Sequence, residues 1–323
     1  MAKLNQDQLL HAYRTMRLIR VFEDRLAREA AKAPMPGVLH LYCGEEASAV
    51  GVCMQLDKRD RIYSTHRPHG HCIARGLDIT SLMLELYAKQ GGICNGKGGS
   101  MHLADPGLGL MGANGIVGGG MPLVGGAALA AQRLRTGGVA VGFVGDGGSN
   151  QGQFLEALNF ASVFKLPAIF VIEDNGYAET IASSWSCAGD HVKRAEGFGM
   201  PGRRECGADF FAVYEAAGEA VARARAGGGP SLLHLCDFER FYPHEQGISD
   251  AMRPAERLKW IKENRDPLTM FIAHVLKSGE LTESQMRAID DEVEAQVEEA
   301  ATAAKAAPDV TAEHLLEDVY LTY

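Results

Sequence analysis

Apolar side chains recur at helical spacing through residues 6–32, where Leu9, Tyr13, Met16, Ile19 and Leu26 stand among charged neighbours. That pattern predicts an amphipathic helix lying on a core or a partner. Asn5 and Gln8 are in N-cap and N3 relation, with Leu4 and Leu9 placed as a hydrophobic staple, so the helix opens there. Between 138 and 173 the period changes. Val139–Val144 is a short continuous apolar run suited to a buried parallel strand, and it ends at Gly145-Asp146-Gly147-Gly148. Phe154, Leu155, Leu158 and Ala161 give a helix over Gln151–Phe164, and Ala168–Ile172 is a second buried strand. Such a β-loop-α-β unit has a right-handed crossover, and sheets of this kind bind ligands beyond the carboxyl ends of their strands. Further on, Phe210–Arg225 reads as helix, Gly227–Pro230 as a break and Ser231–Cys236 as a strand, and a capping box at Thr282 and Gln285 opens an acidic helix to about Lys305. The expectation is an α/β fold with a central, mostly parallel sheet flanked by helices. One domain is expected over 1–323, with an N-terminal helix and a helical C-terminal region from about 255.

Two glycine-rich stretches interrupt the pattern, Gly96–Ser100 and Gly112–Gly120. Glycine loses the most backbone freedom on ordering, so these predict loops that let backbone approach a ligand. A hydrophobic content of 46% supports a large core and excludes disordered and fibrous classes. The formal charge of −9 argues against nucleic acid as the main partner, while leaving room for a local basic pocket that takes a small anion. Seven cysteines form no C-x-x-C pair, so free thiols are expected and not a disulfide framework or structural zinc. No run of about 18 apolar residues spans a membrane, and Met1–Leu10 lacks an apolar signal region. A cytoplasmic chain is expected.

The chemistry concentrates at two loop tips that the β-loop-α-β unit brings together. Asp146 offers a carboxylate, Asn175 an amide oxygen and the region of Tyr177 a backbone carbonyl. That set suits a hard cation such as Mg²⁺, which takes oxygen ligands and shares them with phosphates. Gly147 and Gly148 leave room for the anion, and the helix after them is expected to point its free N–H groups and positive dipole end toward it.

Taken together, these segments and Gly96-Lys-Gly-Gly-Ser-Met-His102, Met111-Gly-Ala-Asn-Gly-Ile-Val117, Gly145–Gly152, Glu173–Glu179 and Phe210–Glu215 resemble the alpha subunits of heteromeric 2-oxo acid dehydrogenase decarboxylase components. Within that family the chain is most similar to the acetoin-cleaving branch, which implies cleavage of acetoin, or decarboxylation of a 2-oxo acid such as pyruvate, on thiamine diphosphate. The resemblance covers nearly the whole sequence. It implies a diphosphate-binding domain of the thiamine-diphosphate fold, with Asp146, Asn175 and Tyr177 on Mg²⁺. By the same resemblance Gly115 and Val117 offer backbone groups to the aminopyrimidine ring, and His66 and Arg67 reach the diphosphate. It further implies a beta subunit carrying the pyrimidine-binding domain in a two-alpha, two-beta heterotetramer, and a lipoyl acyltransferase component as acceptor.

His244 matches the loop histidine that closes over the diphosphate in such relatives. Here the sequence departs from the family: Pro243 replaces the usual Gly, and Glu245 stands where some regulated relatives carry a phosphorylatable Ser. Proline fixes φ and removes an N–H, which stiffens or re-aims the loop. His69 and His71 stand either at the active-site entrance or in helix and loop packing. Of the two, His69 is taken as a catalytic candidate beside His244. Zinc is the weaker reading of His66, His69 and His71, since no thiolate or carboxylate lies at ligand spacing. A nicotinamide oxidoreductase is disfavoured because Gly142–Gly147 does not give G-x-G-x-x-G and Asp146 would repel a pyrophosphate without a cation. A thiamine-dependent enzyme without a lipoyl acceptor and a non-catalytic assembly subunit complete the alternatives.

Overall fold

The alternating destinations of the strand side chains explain why the strands read as unbroken apolar runs. In a computed structural model that describes residues 4–320, five strands form one parallel sheet. These are β1 (Arg61–Tyr63), β2 (Ala140–Gly145), β3 (Ala168–Glu173), β6 (Gly202–Cys206) and β7 (Ser231–Cys236), in the order β1-β2-β3-β7-β6; β4 (Tyr177–Ala178) and β5 (Ile181–Ala182) make a separate two-residue hairpin. Val141, Phe143, Ile169, Val171, Leu233 and Leu235 enter one core, while Ala140, Val144, Phe170, Ile172 and Leu232 enter another. With apolar packing on both faces, every position of the three central strands favours burial.

Helices α1 (Gln6–Ala30), α2 (Glu46–Cys53), α3 (His69–Ala74) and α4 (Ile79–Leu86) precede the main crossover unit. They are followed by α5 (Met121–Leu134), α6 (Gly152–Val163), α7 (Ser183–Ser186), α8 (His191–Gly197) and α9 (Phe210–Arg225). The C-terminal helices are α10 (Ala255–Asn264), α11 (Pro267–Ser278) and α12 (Glu283–Ala306). The larger core takes α1, α2, α9 and α12; the smaller takes α5 and α6. Both predicted capping boxes are present, at Asn5/Gln8 and Thr282/Gln285. The N- and C-terminal helices meet: α12 lies against α1, Tyr13 Oη donates to Asp290 at 2.9 Å, and Arg17 pairs with Asp290 at 3.0 Å.

Several short elements had no periodic signal in the sequence. β1 has only three residues, and α2 is buried all round, so it carries no polar face. β6, Gly-Arg-Arg-Glu-Cys, is a partly exposed edge strand whose charges keep that edge from pairing with another chain. Among the described residues no helix is long and apolar enough to cross a membrane. All seven cysteines are free.

Candidate active site

The carboxyl ends of β2 and β3 release two loops on the same side of the sheet, because the strands are parallel and in register from Ala140↔Ala168 to Gly145↔Glu173. The first continues through Asp146 and Gly147 into a 3₁₀ turn at Gly148–Asn150; the second continues through Asp174 and Asn175 to Gly176, whose φ of +87° turns the chain into the hairpin. The loops touch. A Cβ added at Gly147 would come within 2.5 Å of Ala178 Cβ, and one at Gly148 within 2.7 Å of Val144 and 2.9 Å of Val117. Glycine is required at both by close approach, not by backbone angle. The 3₁₀ turn changes one expectation. The backbone of Gly147 and Gly148, and not the first turn of α6, lines the cavity.

A cavity of about 270 Å³ opens over these loops, and His66, Arg67, Gly115, Val117, Asp146, Gly147, Gly148, Asn175, Tyr177 and His244 all line it. Asp146 is 2% exposed, and its Oδ2 has no hydrogen-bond partner among the described residues. Burial, then the charge of Asp174, pushes its carboxyl up to about 7. A buried, unpaired carboxylate oxygen is costly, and a bound cation removes that cost. Asn175 Nδ2 donates to Glu45 Oε1 at 2.8 Å, which turns the amide oxygen the other way. The Tyr177 carbonyl accepts from Arg240 Nη1 at 3.3 Å and keeps its second lone pair. One acidic and two neutral oxygens on adjoining loops are what a hard divalent cation takes from a protein when phosphate supplies the rest.

The opposite wall is basic in an acidic protein. His40, His66 and His244 pack ring against ring, with centroids 4.7, 4.9 and 5.2 Å apart. Burial and then the Arg67 charge drive all three rings below their ordinary value, His40 to about 3 and His244 to about 4. They are therefore neutral until an anion offsets Arg67. Arg67 is itself buried; it donates to the Leu41 carbonyl, to the His244 carbonyl at 3.2 Å, and faces Glu45 at 3.7 Å. The His244 segment is tied down further. Phe241 N donates to Cys43 O at 2.8 Å, Gln246 N to Leu39 O at 2.9 Å, and Arg253 Nη2 to Tyr242 O at 2.9 Å. The stiffening expected from Pro243 thus has company from both sides of the loop.

His69 does not line the cavity, contrary to the catalytic place expected of it. It is fully buried, with Nδ1 donating to Glu23 at 3.0 Å and Nε2 paired with Ser100 Oγ at 2.9 Å, so neither nitrogen is free to meet substrate. His71 lies under the cavity floor. Its Nε2 faces Glu173 at 3.2 Å, its Nδ1 accepts from Ser64 Oγ at 2.7 Å, and its ring lies 3.8 Å from that of Phe143. Glu173 also accepts from Tyr42 and, at 2.5 Å, from Ser48; although burial alone would raise its carboxyl, His71 and these donors hold it below the usual value.

Sequence reasoning missed His40, Glu45 and Glu173. Burial first, tempered by Arg67, sets the Glu45 carboxyl at about 7. The signal for Glu45 was present: Glu45-Glu46 opens the small apolar run Ala47–Val52, where two fully buried carboxylates have to be spoken for. Glu46 is taken by Arg20 at 2.5 Å, leaving Glu45 for the site.

These loops line a cavity at the carboxyl edge of a parallel sheet, acidic on one wall and basic on the other, and the chain belongs to the dehydrogenase E1 component family, whose profile matches residues 14–313. It is a dehydrogenase component of the E1 alpha type. Over 321 residues it is 53% identical to the alpha subunit of acetoin:2,6-dichlorophenolindophenol oxidoreductase of Cupriavidus necator, covering 99% of this chain and 96% of that one. The Bacillus subtilis subunit of the same name is 44% identical over 321 residues, with the same coverage. The pyruvate dehydrogenase E1 component subunit alpha of Zymomonas mobilis is 39% identical over 308 residues, 94% of this chain and 86% of that one.

Proposed function

We propose that this chain is the alpha subunit of a thiamine-diphosphate- and Mg²⁺-dependent enzyme that cleaves acetoin and passes the acyl unit to lipoamide on a lipoyl acyltransferase. The Asp146 carboxylate carries the reading. It is buried, with Oδ2 unpartnered among the described residues, and set beside Asn175 and Tyr177 in a cavity whose other wall is Arg67 and three neutral histidines. A divalent cation on the acidic side and a diphosphate between the two walls satisfy both at once. Bound there, thiamine diphosphate supplies a thiazolium carbon able to cleave a bond beside a carbonyl group.

The chain's own residues bind and orient. Asp146, Asn175 and the Tyr177 carbonyl hold the cation, and Glu45 fixes the Asn175 amide. Gly147 and Gly148 give the diphosphate backbone approach. Arg67 reaches it through the N–H groups that Leu41 and His244 do not use, and His66 and His244 donate to it once its charge is present. Gly115 and Val117 offer backbone groups to the aminopyrimidine ring from a loop that Asn114 shapes by accepting from Ile116 N at 2.8 Å. Exposed Ile116 and Val117, 68% and 45% accessible, leave that loop free to be covered by a beta subunit carrying the pyrimidine-binding domain in a two-alpha, two-beta assembly. Acetoin is favoured over pyruvate because two relatives named for acetoin share 53% and 44% identity, against 39% for the pyruvate relative.

Calorimetric titration of thiamine diphosphate with Mg²⁺ into the chain co-purified with its beta subunit tests the reading. Heat that disappears in Asp146→Ala supports it, and absence of cofactor heat in the wild-type pair overturns it. Turnover assays with acetoin, pyruvate and branched 2-oxo acids then sort the substrate.

A further inference from the structure

Behind the second loop, and lining no part of the cavity, lies another group of potential ligands. Asp174 follows the last residue of β3, His234 stands on the neighbouring β7 and His191 opens α8. Their ligand atoms all fall within 4.8 Å of one another. His234 Nε2 faces Asp174 Oδ2 at 3.1 Å, and the rings of His191 and His234 meet edge to face at 4.6 Å. His191 is only 4% exposed, yet neither of its ring nitrogens has a hydrogen-bond partner among the described residues. A buried imidazole with both nitrogens idle is a costly arrangement for which internal packing gives no return.

We propose that Asp174, His191 and His234 form a second cation site, for a borderline divalent ion of the zinc type, separate from the cavity. Two imidazole nitrogens and one carboxylate oxygen are the donor set such an ion takes, with water as the fourth ligand, whereas Mg²⁺ prefers oxygen alone. Burial keeps His191 neutral, its value lowered to about 4, so its lone pair is available. Supporting contacts are in place. Asp174 Oδ1 accepts from Gly176 N at 3.1 Å, which aims Oδ2 at the histidines. Tetrahedral coordination brings the ligand atoms to about 3.4 Å from one another, a closure that side-chain rotation supplies.

One neighbour competes with the ion. Arg204 Nε donates to His234 Nδ1 at 3.3 Å, and metal at Nε2 would put the ring proton on Nδ1, facing that donor. Arg204 has to release His234 for the ion to bind. Its side chain is 50% exposed and has Asp190 as a second partner, so it can do so. Removing Arg204 therefore tightens the site, an outcome that a surface-bound ion would not give.

The test is titration of Co²⁺ into the chelator-treated full chain, followed by the visible absorption of four-coordinate cobalt. The expected result is saturation at about one ion per chain and displacement by Zn²⁺. In His191→Leu the band is lost, in Arg204→Gln it forms at several-fold lower cobalt concentration, and in His244→Ala it is unchanged. No four-coordinate band in either the wild type or Arg204→Gln overturns the proposal. So does a band that survives in folded His191→Leu, or one that disappears in His244→Ala, which would place the ion in the cavity. Should His191→Leu fail to fold, the direction of the Arg204→Gln shift decides.

Discussion

Asn175 Nδ2 donates a 2.8 Å hydrogen bond to Glu45 Oε1 across more than a hundred residues of chain, and this bond decides which face the Asn175 amide shows to the cavity. With nitrogen held by Glu45, oxygen is the atom left for a cation. Partners of this kind typically change metal affinity 10–100-fold when removed. Glu45→Ala should therefore weaken Mg²⁺-dependent cofactor binding by roughly that factor, read by calorimetry on the complex. Glu45→Gln keeps an acceptor oxygen and should recover most of the loss. Equal loss in both variants would mean that Glu45 acts through its charge and not by orienting Asn175.

The raised carboxyl of Asp146 has a pH signature. A folded-state value of about 7 against an ordinary 3.8 means that the cation-free fold prefers this group protonated. Its contribution to stability is full below the ordinary value and is lost as pH climbs toward 7. Thermal unfolding in chelator should show the wild type losing ground to Asp146→Asn across that window, by at most roughly 4 kcal/mol. Mg²⁺ with the cofactor should reverse the trend and release a proton on binding. A difference between the two proteins that does not vary with pH contradicts this account of the group.

Contact between the two loop tips is testable through Gly147. A methyl there meets Ala178 Cβ at 2.5 Å, with no long flexible side chain to yield. Gly147→Ala should cost about 1–3 kcal/mol, the usual price of overpacking, and should weaken cofactor binding together with stability. Gly152→Ala, where an added Cβ meets nothing within 4 Å, is the control and should do neither.

His69 should behave as a packing residue. Its replacement by Asn removes the bridge between Glu23 and Ser100, and the melting temperature should fall by an amount corresponding to about 2 kcal/mol. The kcat of the remaining folded enzyme should stay near wild type. A selective fall in kcat without loss of stability would return His69 to the catalytic side.

The parts of the fold legible in the sequence were those with long or doubly buried patterns. α1 announced itself by a capping box and amphipathic spacing, α12 by a capping box and α6 by apolar residues at helical spacing, while β2, β3 and β7 were apolar runs between clear breaks. β1, β6 and α2 did not, since three residues, a charged edge and an all-buried helix give no period to detect. At the site, loop tips that follow strands could be placed because topology sends them to one edge. His40 could not, because it arrives from a segment without periodicity; the Glu45-Glu46 pair signalled a buried carboxylate, but only tertiary packing brings Glu45 to the cavity. His69 was misplaced for a related reason. It lies two residues from Arg67, but the first turn of α3 directs it toward Glu23 and away from the cavity.

The most direct measurement is anomalous X-ray diffraction from crystals of the alpha–beta complex grown with thiamine diphosphate and Mn²⁺ in place of Mg²⁺. The account predicts one strong peak in the cavity within coordination distance, about 2.0–2.3 Å, of an Asp146 carboxylate oxygen and the Asn175 amide oxygen, with diphosphate oxygens completing the shell. A manganese ion that touches neither residue, or a diphosphate bound away from Gly147 and Gly148, would contradict it.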